Sequence, residues 1–102
     1  MSLDFSILDA SGAPKKSVPL DVELHHELLV AAKSLGLGEV VRFHDYYEDE
    51  EIPLSSIPIF MQEIFILKNN TNSSRLLDFL EKMTSLGSSA LSEKRSIVAI
   101  SD

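Results

Sequence analysis

The chain contains no cysteine. That absence removes a disulfide framework, thiol chemistry and cysteine-ligated zinc. No apolar run approaches the roughly 20 residues that a membrane-spanning helix needs. The opening MSLDFSILD has no basic segment followed by an apolar one, the pattern of a secretory signal. The expected setting is therefore the cytoplasm, without membrane contact. Catalytic signatures are missing too. No serine stands in a G-x-S-x-G elbow, there is no P-loop, and GLG at 36–38 lacks the third glycine and the spacing of a dinucleotide-binding turn. Nothing here implies a catalytic residue or a cofactor.

What is present is ordinary in bulk and uneven in charge. At 102 residues, 44% hydrophobic and 25% charged, the chain has the size and composition of one globular domain, residues 1–102. The net charge is −7, and the stretch from Asp45 to Glu51 holds five acids (Asp45, Glu48, Asp49, Glu50, Glu51) and no base. Of the 16 acids, 11 remain outside it against 9 bases, so the rest of the chain is only −2. A surface of this kind repels phosphate backbones and anionic lipid and attracts basic partners, which disfavours direct nucleic-acid binding.

Leu3, Phe5 and Ile7 alternate with Asp4 and Ser6, the period of a half-buried strand. DASGAPKKSVP reads as a loop through Gly12, Pro14 and Pro19. Asp21 is placed to cap a helix over Val22–Leu35 and Gly36 to end it. Alternation from Glu39 to Tyr46 predicts a second strand. A second helix is expected from Ser55 or Ser56 to Lys68, with Pro58 in its first turn. Its main stripe is Ile57, Phe60, Met61, Ile64, Phe65 and Leu67, while Ile59 and Ile66 fall on the opposite side. A third helix spans Ser74 to Glu93, with Gly87 in the middle of its apolar face as a close-packing point. SIVAIS reads as a central strand covered on both faces. The expected fold class is α/β (α+β): one three-stranded sheet packed by about three helices, in the order β-α-β-α-α-β.

The candidate sites gather around RFHDYYEDEEI, Arg42 to Ile52. One reading is a solvated loop that keeps the protein soluble and guards a sheet edge. The functional reading is a protein-binding surface of Tyr46, Tyr47, Glu48, Asp49, Glu50 and Glu51, with Arg42 and His44 nearby. An exposed tyrosine beside carboxylates suits Lys or Arg side chains: the ring supplies a cation–π face and the acids accept hydrogen bonds. An alternative from a different class is a metal-dependent or acid/base enzyme using His25, His44 and Asp45. The spacing gives it little support, because neighbouring His25 and His26 diverge on a helix and no H-E-x-x-H pair occurs. His25 falls inside the apolar arc of the first helix, as a hydrogen-bonded core histidine would. A third reading is a homo-oligomer built on Ile59 and Ile66.

Four segments together, LDFSILD, LHHELL, RFHDYYEDEE and IVAISD, resemble a family of small acidic bacterial proteins. In size, acidity and β/α layout the chain is also similar to immunity proteins, which neutralise toxins by covering their basic active sites. That likeness implies an inhibitor acting by occlusion on a basic partner, a toxin domain, with Asp45 to Glu51 standing in for the toxin's anionic substrate. It implies no catalytic residue.

Overall fold

The computed structural model describes residues 2–101. Four strands, β1 (Leu3–Leu8), β2 (Pro14–Leu20), β3 (Glu50–Ile52) and β4 (Ile97–Ser101), form one antiparallel sheet in the order β2-β1-β4-β3. Four helices accompany it: α1 (Val22–Leu35), the short α2 (Gly38–Val41), α3 (Ile57–Lys68) and α4 (Ser74–Glu93). A 3-10 turn at Leu54–Ser56 leads into α3. The mixed α and β class is as expected, and β4 is an internal strand. The number and placing of strands differ from the expectation.

Local chemistry accounts for the elements that match. The Asp21 carboxylate accepts from Leu24 N at 2.8 Å, and Gly36 ends α1 with φ +70°. Ser73 Oγ accepts from Leu76 N at 3.2 Å to open α4. The two missed strands have identifiable causes. β2 contains Pro14 and Pro19, which an internal strand could not hold; as an edge strand it needs to satisfy only one side. Its hairpin with β1 closes on Asp9, whose Oδ1 accepts from Ser11 Oγ at 2.6 Å, Ser11 N at 2.9 Å and Ala13 N at 3.0 Å. The Ser11 hydroxyl, then the amides of Ala13 and Ser11, hold this carboxyl below its ordinary pKa. β3 is the last two acids of the stretch and the buried Ile52, strand only through its register with β4.

The expected strand at Glu39–Tyr46 is instead α2 followed by turns. The buried members are Val40, Phe43 and Tyr46, three apart, which a helical turn presents to one side and a strand does not. Neither does β4 have two covered faces. Ile97 and Ala99 are buried whereas Val98 and Ile100 are half-exposed.

The helices cover one face of the sheet, into which Leu3, Phe5, Ile7, Val18, Leu20, Ile52, Ile97 and Ala99 project. Phe5 is the hub, edge-on to Phe43 and Phe79 with ring centroids 5.0 and 5.9 Å away. The opposite face is open, crossed by the row Ser17–Ser6–Val98–Glu51. On α3, Phe65 leaves the expected core stripe and is 64% exposed.

Gly87 lies inside α4, buried against α3, as its position on the apolar face predicts. A Cβ there would overlap Sδ of Met61 and stand 2.9 Å from its Cε. Gly87→Ala should gain about 1 kcal/mol of helix propensity, and because the overlapped atoms are the flexible end of the partly exposed Met61, which can swing aside, the net change should stay within about 1 kcal/mol. Urea midpoints of Gly87→Ala, Met61→Ala and the pair test this. A favourable coupling in the double variant is expected, and strictly additive effects would show that the new methyl and Met61 do not meet.

Candidate functional site

The acidic stretch begins on a segment pinned to the core. α2 has no side-chain cap of its own. A residue 23 positions away supplies one: Glu63 on α3, buried, accepts from Val40 N at 2.9 Å (Oε1) and from Glu39 N at 3.1 Å (Oε2). Sequence reasoning did not single out Glu63. The available signal was a lone acid beside Phe60 and Leu67 on an otherwise apolar helix face.

Beyond α2, the Phe43 carbonyl accepts from His25 Nε2 at 2.7 Å, so that ring nitrogen carries a proton. His25 is thus a buried, hydrogen-bonded core histidine. Its ring lies edge-on to Tyr46 at 5.1 Å. Tyr46 is 5% exposed and donates its hydroxyl to the Leu20 carbonyl at 3.0 Å, so its ring is a structural anchor and is not offered to a partner. Tyr47, edge-on to Tyr46 at 5.4 Å, is 67% exposed. Adjacent residues on a turning backbone divide the two roles.

Burial, and then the charges of Asp21, Tyr47 and Asp4, push the Tyr46 hydroxyl above the ordinary phenol value of 10.0. The fold favours the neutral phenol, so its contribution is full below that value and is lost as pH climbs through the raised one. Tyr46→Phe should cost about 1 kcal/mol at neutral pH and remove part of the stability loss above pH 10. Urea titrations at pH 8 and pH 11 check both; an unchanged alkaline loss would assign it to other groups.

The acids then run along the sheet edge. Asp45 Oδ1 accepts from Tyr47 N at 2.9 Å, forming a local turn. Asp49 Oδ1 accepts from Ser101 N at 2.8 Å, extending the β4 ladder past the end of β3. Glu50 Oε1 accepts from Glu51 N at 3.1 Å. Arg42, the nearest cation in sequence, is committed elsewhere: Nη2 lies 2.9 Å from Glu39 Oε1 and Nη1 donates to the Glu51 carbonyl at 3.1 Å. Among the described residues, no ion pair reaches the side chains of Glu48, Asp49, Glu50 or Glu51, and all four are exposed.

Asp49, Glu50 and Glu51 border a depression of about 430 Å³ against the open face of the sheet. Its remaining walls are Leu8, Val98, Ala99 and Ile100. Apolar walls beside carboxylates accept the methylene stem and charged head of a lysine or arginine. A neighbouring hollow of about 230 Å³ shares Leu8 and Val98 and carries Lys94 and Arg95, so the open face runs from acidic to basic. The sequence could not indicate this, because the depression joins residues from β1, β3 and β4.

The chain matches no family model, no curated protein and no solved structure. No helix among the described residues is long and apolar enough to cross a membrane.

His25, His44 and Asp45 border a common depression of about 410 Å³ with His26, Lys33 and Tyr47. They do not assemble into a ligand set. His25 Nε2 is bonded to Phe43 O, His44 Nδ1 lies 3.2 Å from Val41 O, and Asp45 caps its own turn. Among the described residues no three metal-binding side chains converge.

Proposed function

We propose that this chain is a protein-binding domain whose acidic sheet edge holds a basic partner, acting as an immunity-type inhibitor acts, by covering a cationic surface. The observation that carries this reading is the run of exposed carboxylates, Glu48 to Glu51, left without intramolecular cations beside an apolar-walled depression. Most surface acids on a folded domain gain little from pairing. Concentrating four unpaired ones on a short segment raises the local potential and steers cationic partners to it. Tyr47 adds an exposed aromatic face beside them, and its neighbour Tyr46 holds the segment in place. Lys94 and Arg95 would repel the partner's cations at the other end of the face and so set its orientation.

The test is capture from a lysate of the source organism by the wild-type chain and by a variant carrying Glu48→Gln, Asp49→Asn, Glu50→Gln and Glu51→Gln. A basic protein retained by the first and lost from the second identifies the partner and supports the reading. Identical captured sets, or none, would return the acidic edge to a solubilising role.

A further inference from the structure

The middle residue of β3 turns its backbone away from the sheet. Ser101 N donates to Asp49 Oδ1, so alternate residues of β4 counted from Ser101 direct their backbone groups toward β3. Ala99 and Ile97 are of that set, and they pair with Glu50 and Ile52. The N–H and C=O of Glu51 therefore point outward, along the edge that the strand order leaves unpaired. An exposed edge of this kind is a template for a strand from another chain.

Here the template is filled from within. Glu50 Oε1 accepts from Glu51 N at 3.1 Å, and Arg42 Nη1 donates to the Glu51 carbonyl at 3.1 Å. Arg42 is steadied there by its other terminal nitrogen, Nη2, which lies 2.9 Å from Glu39 Oε1 on α2. Two residues beyond Glu51, where an added strand would seek its next partner, stands Pro53. It has no N–H, and its carbonyl accepts from Ser56 N at 2.9 Å. That leaves at most Asp49 at the outward positions, and a single residue does not sustain a ladder. By the same alternation Pro19 faces outward on β2, where it withholds a donor from the opposite edge.

We propose that Arg42 and Glu50 are edge guards, closing β3 to strand addition and keeping the acidic edge a surface of side chains. The two backbone groups that would recruit another main chain are satisfied without a second molecule. The consequence for the partner rests on the protein-binding reading above. It is a folded basic surface that offers lysine and arginine side chains, and an extended basic segment is refused as an added strand.

The double variant Arg42→Ala with Glu50→Ala tests this, because it loses one cation and one carboxylate and stays at −7. Both side chains reach solvent, so circular dichroism should be unaltered. The probe is a short labelled peptide of alternating lysine and valine. Its control has the same sequence with every backbone amide N-methylated, which keeps the charge and prevents strand pairing. The parent chain should bind the two alike. The double variant should prefer the unmethylated peptide by about tenfold, as two main-chain hydrogen bonds allow. If the pair of substitutions unfolds the chain, Glu50→Ala alone frees the Glu51 amide and should show a smaller preference of the same sign. A parent chain that already prefers the unmethylated peptide has an open edge, and an opened variant without that preference is not guarded by these residues. Either result overturns the proposal. Negligible binding of both peptides by the parent counts against the acidic edge as a cation-holding surface, and the preference of the variant still decides the guard.

Discussion

Glu63→Ala should lower the stability of the fold by about 3 kcal/mol and shift its melting point by more than 10 °C. The Glu63 carboxylate is the cap of α2: it takes the Val40 and Glu39 amides at 2.9 and 3.1 Å, and nothing else among the described side chains caps that helix. Truncation removes two charge-assisted bonds and leaves the Val40 amide buried without an acceptor, at about 1–3 kcal/mol for such a group. A buried carboxylate without a cation also carries a desolvation penalty, and its removal offsets part of the loss. Glu63→Gln separates these terms. The amide oxygen can accept one of the two N–H groups, but its NH₂ cannot accept the other, so an intermediate loss is expected. Hydrogen exchange should locate the damage at residues 38–46, because α2 leads directly to Phe43 and Tyr46. A Glu63→Ala variant within 0.5 kcal/mol of the parent would mean that α2 is held by packing alone.

The four-amide variant of Glu48 to Glu51 should associate with the captured basic partner about 10- to 100-fold more slowly at low salt. Four of the seven net negative charges disappear, leaving −3, yet each amide keeps an oxygen for the bonds to Ser101 N and Glu51 N. The fold should therefore be retained, and relief of repulsion between adjacent acids can raise its stability slightly. Stopped-flow association at several ionic strengths reads the effect. The wild-type rate should fall steeply with salt while that of the variant should hardly change, and the two should converge at high salt. Tyr47→Ala acts on a short-range contact, so it should speed dissociation and leave the salt slope alone. An association rate that ignores the four substitutions would reject the acidic edge as the contact surface.

α1 and α4 were legible because their signals are local. Asp21 with Gly36 bounds one helix, and apolar residues recur at the helical period through both. Gly87 could be read as a packing point because it falls in phase with Leu80, Met83 and Ala90. The concentration of charge at Asp45 to Glu51 was equally plain, since composition alone displays it.

Tertiary structure decided what depended on partners distant in sequence. Pro14 to Leu20 is a strand because β1 leaves it an edge where prolines do no harm, and Glu50 to Ile52 is one because β4 pairs with it. The residues from Glu39 to Tyr46 alternate like a strand, but a carboxylate on α3 captures their first amides and starts a helix. Neither the burial of Tyr46 beside an exposed Tyr47 nor the depression joining Asp49–Glu51 to Leu8, Val98 and Ile100 has a local cause. Caps and periodicity act within a few residues and so can be read along the chain; pairing, burial and convergence act across it and exist only once the chain has folded.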